Sequence, residues 1–103
     1  MYKIKKGAAF KLVISAFNGE LPFDVSPYTI ECNLYDGCGN LVESLIAEKV
    51  LENNKFMLTS NNTANWPLGY ATFEFDFLLN GESTYSDDFL FKVIPSGRYR
   101  GNQ

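Results

Sequence analysis

Residues 70–80 of this chain, Tyr-Ala-Thr-Phe-Glu-Phe-Asp-Phe-Leu-Leu-Asn, decide its fold. Polar side chains fall at Thr72, Glu74 and Asp76, and apolar side chains fall between and around them, at Ala71, Phe73, Phe75, Phe77 and Leu79. A period of two sends one set to a core and the other to water, which indicates a half-buried antiparallel strand. Three phenylalanines on one strand face need a second apolar layer opposite them. The pattern therefore predicts a packed β domain.

Similar alternation appears on both sides of this stretch, in residues 9–17, 28–35, 55–60 and 84–94. Segments rich in glycine, asparagine and proline separate these runs, and such segments favour turns. Six or seven short strands with regular turns predict an all-β fold, an immunoglobulin-like antiparallel β-sandwich. With 103 residues the chain fits one domain. We expect a basic N-terminal arm at 1–8, the sandwich at 9–94 and a polar Arg/Tyr tail at 95–103.

One segment, residues 41–52, allows two interpretations. Its apolar residues have helical spacing, and Asn40 with Glu43 resembles a capping box. The turn before it, Asp36-Gly37-Cys38-Gly39-Asn40, and the strand after it favour a sheet instead. We predict a strand here. The alternative is an α+β fold with a helix at about 41–52, because short apolar runs are where periodicity discriminates least.

The charges are unevenly placed along the chain. Residues 1–11 hold four lysines and no acid, residues 95–103 hold two arginines and no acid, and all twelve acidic residues lie between. An acidic body would repel phosphates, so nucleic acid is an unfavourable partner. Basic ends fit docking on acidic neighbouring surfaces. No apolar run approaches the ~20 residues of a membrane span, and no signal peptide follows the basic start. We therefore expect neither membrane partners nor export.

The sequence offers little for catalysis. It contains no histidine, which removes the commonest general base and the usual catalytic triads. Glu74 and Asp76 share a predicted solvent face with nothing to desolvate either carboxyl. Two cysteines without histidine cannot complete the usual four-ligand zinc site, and no glycine-rich phosphate loop joins a strand to a helix. We predict that the chain is not an enzyme, with no cofactor, no metal site and no catalytic residue.

Candidate partner-binding residues lie near the ends of the chain and in one loop. Arginines flank Tyr99 beyond the last predicted strand, and tyrosine and arginine are enriched in interface hot spots. Trp66 is the only tryptophan and lies in a loop, where it would either contact a partner or fold back over one end of the sandwich. The predicted contact residues are Lys3, Lys5, Lys6, Trp66, Arg98, Tyr99 and Arg100.

The order of these features resembles a known family. Gly-Ala-Ala-Phe-Lys-Leu-Val-Ile opens the domain, Leu-Pro-Phe-Asp-Val-Ser-Pro links its first strands, and Trp66-Pro67-Leu68-Gly69-Tyr70 leads into the alternating strand. Residues 7–95 thus resemble the small β-sandwich modules of tailed-bacteriophage virions, as at the N-terminus of baseplate upper proteins and in related neck, tail and capsid-associated proteins. The chain departs from the baseplate pattern in ending just after the sandwich, which favours a stand-alone structural subunit.

The resemblance implies an assembly part, not a catalyst. It implies a structural subunit of a bacteriophage particle, made in the cytoplasm of the host bacterium and located in the virion. Its partners would be other virion proteins, with the chain present as a homo-oligomer or in many copies. The alternative from the residues themselves is a carbohydrate- or surface-binding module that uses Trp66 and exposed tyrosines.

Overall fold

The computed structural model describes residues 1–60 and 63–95 and confirms the predicted all-β fold. A short 3-10 helix, Thr63–Asn65, precedes the alternating strand. The strands in chain order are β1 (Lys3–Lys5), β2 (Phe10–Ser15), β3 (Phe17–Asn18), β4 (Leu21–Pro22), β5 (Thr29–Asp36), β6 (Leu41–Lys49), β7 (Lys55–Ser60), β8 (Gly69–Leu79) and β9 (Glu82–Ile94).

Seven strands form one curled sheet in the order β1-β9-β8-β5-β6-β7-β2, and β3 with β4 form a separate small hairpin. Strand β6 makes the curl, because its first half pairs with β5 and its second half, from Ile46, pairs with β7. The ends of the sheet are thereby folded over each other. Phe56 of β7 packs edge-on against Phe75 and Phe77 of β8, with ring centroids 5.7 and 5.9 Å apart. The result is the two-layer packing that the phenylalanine row predicted.

The core is aromatic and centres on β8. Phe73 is fully buried and stacks on Phe91 of β9 at a centroid distance of 4.4 Å. Phe10 of β2 approaches Phe73 from the opposite layer at 5.8 Å. The inward residues of β8 are buried at 71, 73, 75 and 77, whereas Leu79 is 39% exposed because the strand extends beyond the second layer there. The predicted alternation is therefore correct along most of its length.

The turns follow the predicted chemistry. Asn80 and Gly81 both have positive φ, at 55° and 83°, which fits the tight Asn-Gly connection between β8 and β9. At the turn of residues 36–40, the Asp36 carboxylate accepts hydrogen bonds from the amides of Cys38 and Asn40, both at 2.9 Å. Asn40 thus belongs to this turn. The capping-box interpretation of Asn40 with Glu43 was wrong, and residues 41–49 form a strand.

The N-terminal segment differs from the prediction in two ways, because β1 is part of the main sheet and pairs in parallel. Strand β1 pairs in parallel with the end of β9, in the register Lys3↔Lys92 and Lys5↔Ile94. Ile4 between the two lysines is buried, because its side chain joins the core beside Val93. The segment that we expected to be an arm therefore contains a strand of the sheet, since one apolar residue between lysines is enough to attach it.

Candidate functional site: an apolar groove beside an open strand edge

An apolar concavity lies where the two ends of the curled sheet approach each other. It is a groove of about 540 Å³ between β2 with the following β3 on one side and the first half of β9 on the other. Phe56, Phe75 and Phe77 from the two layers line its interior. Leu12 and Ile14 face it from β2, and both are only partly buried. The groove is thus an incompletely covered part of the core.

Both strands that border the groove have an outer edge without a partner strand among the described residues. Strand β2 pairs only with β7. Strand β9 pairs with β8 along its length, but on its other side β1 covers only Lys92–Ile94. The edge from Glu82 to Phe91 therefore carries backbone N–H and C=O groups available to another strand. An apolar groove beside such an edge has the features of strand-addition sites, in which the backbone gives affinity and side-chain pockets give specificity.

Two acidic residues of β9, Asp87 and Asp88, line this groove, and Asp87 belongs to the strand row that faces it. In the β8–β9 register Asp87 lies opposite Phe75, between the pairs Phe77↔Tyr85 and Phe73↔Phe89. Directly paired residues project from the same face of a sheet, so Asp87 occupies the row that faces the core. Its carboxylate accepts a hydrogen bond from the next amide at 2.8 Å and has no ion pair within the described residues. An exposed carboxylate thus lies between Tyr85 and Phe89 in this row of β9.

The next residue, Asp88, belongs to the opposite face. It pairs with Glu74, and Asp76 follows in the neighbouring pair of the same face. Glu31 of β5 lies opposite Asp76. Four carboxylates therefore share the outer face of three adjacent strands, where water surrounds them. This face is acidic at the groove end, while Lys3, Lys5 and Lys92 make it basic at the β1 end.

Trp66 does not lie on the surface, contrary to its place among the predicted contact residues. Its side chain is 0% exposed and packs on Phe10, with ring centroids 5.4 Å apart. The indole N–H donates to Glu43 Oε1 at 2.8 Å, and the Ser60 hydroxyl donates to the same carboxylate. Trp66 therefore closes one end of the core, and its polar atom is satisfied internally. A buried indole cannot stack on a sugar, so the carbohydrate-binding alternative loses its main residue.

The other predicted contact residues divide into two groups. Lys3 and Lys5 are exposed on β1, and Lys6 just after it is partly buried. Arg98, Tyr99 and Arg100 lie outside the described residues. The groove between β2 and β9 is a feature that the sequence-based prediction missed. The sequence held one signal of this groove, because Asp87 is the acidic residue in the alternating row of residues 85, 87, 89, 91 and 93.

Among the described residues there is neither a buried nucleophilic thiol nor a cluster placed to bind a metal ion. Burial raises the pKa of the Cys32 thiol to about 12, so Cys32 is a buried thiol and no nucleophile at neutral pH. Cys38 is free and exposed in its turn. Within residues 1–60 and 63–95, no group of three His, Cys, Asp or Glu side chains is placed to hold a metal ion. No helix in this part of the chain is long and apolar enough to cross a membrane.

Comparison with known proteins places the fold. No protein-family model matches the chain, and no curated protein matches it either. Among solved structures, it is similar to the N-terminal domain of phage TP901-1 ORF48, with a TM-score of 0.67, 15% identity, and coverage of 90% of this chain and 83% of that chain. It is also similar to CopC from Methylosinus trichosporium OB3b, with a TM-score of 0.58, 14% identity, and coverage of 92% and 86%.

Identities this low show a common fold and nothing more. The chain therefore has the fold of a small β domain found in a phage protein, and the resemblance to phage β-sandwich modules is confirmed as a resemblance of fold. CopC has a similar fold at a lower TM-score. Because two such different proteins share this architecture, the function has to be argued from the surface of this chain.

Proposed function

We propose that this protein is a non-enzymatic structural subunit of a bacteriophage particle that docks on neighbouring virion proteins. The observation that carries the proposal is the groove between β2 and β9, an uncovered apolar part of the core beside an unpaired strand edge. The apolar surface is stabilised by removal from water, the edge groups can exchange water for a partner strand, and a neighbouring protein would cover both at once. The likeness in fold to a domain of a phage protein supports a phage particle as the assembly.

The ends of the chain supply the second contact in this proposal. Lys3 and Lys5 project from the sheet edge on β1 and have no carboxylate opposite them, since their neighbours in register are Lys92 and Ile94. Like charges side by side favour an acidic surface on a neighbour. Exposed pairs are weak and are screened over about 8 Å at physiological ionic strength. The lysines would therefore orient the contact, and apolar burial in the groove would hold it.

Sedimentation of particles tests the proposal. A lysate of the phage that carries this gene is centrifuged to equilibrium in a density gradient, and the chain is quantified by mass spectrometry against other particle proteins. We expect the chain in the intact-particle band at a fixed ratio that persists after washing in moderate salt. If complete particles lack the chain, the proposed role is wrong. A glycan array with the purified chain tests the carbohydrate-binding alternative, and we expect no binding.

The contribution of the C-terminal tail is tested by truncation. A chain ending at Pro95 keeps every strand of the sheet, so we expect nearly unchanged thermal stability. The same chain should fail to enter the particle or oligomer, because Arg98, Tyr99 and Arg100 are removed. Unfolding of the truncated chain would mean that the tail is part of the domain. Unimpaired incorporation would mean that the tail does not dock.

A further inference from the structure

The groove is open along one strand edge, and the chemistry of its walls indicates what fills it. We infer that it binds the C-terminal segment, residues 96–103, of a second copy of this chain, as an added strand along the free edge of β9. This inference rests on the proposed function because both take the groove as a docking surface. It adds a separate claim, that copies of this chain bind each other.

The length of the segment fits the edge. The unpaired part of β9, from Glu82 to Phe91, has ten residues, or about 33 Å at 3.3 Å per residue. The eight residues 96–103 span about 26 Å when extended. The incoming strand would continue the line of β1 along β9, where it satisfies edge N–H and C=O groups and covers Leu12, Ile14 and Phe89.

The charges also fit. Among residues 1–60 and 63–95, the charged residues that line the groove are Asp87 and Asp88, both acidic, and no lysine or arginine of this part of the chain lines it. The segment Ser-Gly-Arg-Tyr-Arg-Gly-Asn-Gln holds Arg98 and Arg100 and no acidic residue. In an extended strand these arginines project to one side and Tyr99 to the other. With the arginines toward the groove, a guanidinium reaches Asp87, and a charge-assisted pair sheltered from water is the strong kind.

The rest of the chain supplies no equivalent occupant. The lysines of the N-terminus belong to the segment that forms β1, already paired with β9. The same copy's tail would have to pass β1, which occupies the β9 edge beside Lys92–Ile94, between the end of β9 and the groove. Ile94 is about 17 Å along the strand from Phe89, so a tail that turned back past β1 would have few residues left for the edge. A second copy has no such constraint.

The first test is sedimentation-velocity analysis of the full-length chain from micromolar to millimolar concentration. We expect reversible association for the wild type. Asp87→Lys should weaken it by about tenfold or more, because hydrogen bonds to charged groups contribute about 1.5–3 kcal/mol. The matched control is Glu74→Lys, a charge reversal on the exposed outer face of β8 at a residue that does not line the groove, and it should change the association less than about twofold. Asp87→Asn repeats the test with little change in shape, and urea midpoints verify that each variant is folded.

A mixing experiment identifies the occupant. One variant carries Asp87→Lys with an intact tail, and the other carries Arg98→Glu and Arg100→Glu with an intact groove. Each alone should associate about tenfold or more weakly than the wild type, whereas the mixture should form a complex of both with wild-type affinity, since an intact tail then meets an intact groove. The inference is wrong if the wild type remains monomeric, if Asp87→Lys and Glu74→Lys act equally, or if the mixture does not associate.

These outcomes separate the two proposals. A chain that enters particles but stays monomeric in solution, with no effect of Asp87→Lys on its incorporation, overturns the tail-in-groove contact and leaves the structural role intact. A chain that associates through Asp87 but is absent from particles supports the contact and overturns the role in the particle.

Discussion

Removal of the Phe73 ring tests the packing on which the whole fold depends. Phe73 is 0% exposed, stacks on Phe91 at 4.4 Å and lies within 6.2 Å of Trp66. Phe→Ala substitutions in cores cost about 3–5 kcal/mol, and each close aromatic pair adds about 0.5–1.5 kcal/mol beyond its buried area. Because several rings surround Phe73, we expect Phe73→Ala to cost the upper part of that range, about 4–5 kcal/mol.

The assay is equilibrium unfolding in urea, followed by the fluorescence of Trp66, the only tryptophan. Small domains have total stabilities of about 5–15 kcal/mol, so Phe73→Ala should be barely folded. Phe73→Leu keeps most of the volume and should cost about 1–2 kcal/mol. Glu74→Ala, one residue away on the solvent face, should fall within about ±0.5 kcal/mol. Equal losses for Phe73→Ala and Glu74→Ala would refute the assignment of the two faces of β8.

Three further predictions follow from individual contacts. Trp66→Phe should lower the free energy of unfolding in urea by about 1–3 kcal/mol, because the Glu43 carboxylate loses its indole donor. Glu43→Gln should cost less, because its amide oxygen still accepts the hydrogen bond. The reverse order would contradict the hydrogen bonds of Trp66 and Ser60 to Glu43. Hydrogen bonds from the backbone amides of Asn40 and then Cys38 lower the pKa of Asp36. Asp36→Ala should therefore destabilise the chain at neutral pH, and progressively less as the pH falls below 3.8. A difference in unfolding free energy between wild type and variant that does not change with pH would exclude this cause. An alkylating reagent should modify Cys38 in the native chain and Cys32 only after unfolding, as read by mass spectrometry, and native modification of Cys32 would contradict its burial.

The sequence was most informative where one strand keeps the same two faces along its length. Strand β8 does so from Ala71 to Phe77, and its partner β9 ends the same way. Strand β6 was ambiguous for a physical reason. It pairs first with β5 and then with β7, so it turns from one layer to the other. Leu45 is buried and Ile46 is 61% exposed, while Glu43 turns inward to accept the Trp66 indole N–H, so apolar and polar residues do not separate cleanly between the two faces of this strand.

The groove could not be predicted from the sequence because it depends on how far the curled sheet closes. Its width results from the meeting of β2 and β9, strands that do not pair with each other. Its open edge results from the short length of β1, which pairs at three positions only. Asp87 was recognisable as an acidic residue in an apolar row, but the row alone does not show that the opposite layer leaves it uncovered. Trp66 was ambiguous because a loop position does not determine burial.

Photo-crosslinking inside intact particles tests most directly the claim that the groove is a docking surface. A photoreactive phenylalanine analogue replaces Phe17, which lines the groove and is 58% exposed. The matched control is the same analogue at Leu41, which has equal exposure but lies outside the groove. We predict that the Phe17 position crosslinks to a particle protein and the Leu41 position does not, with crosslinked peptides from residues 96–103 of a second copy. Equal crosslinking from both positions, or none from Phe17 in particles that contain the chain, would contradict the account.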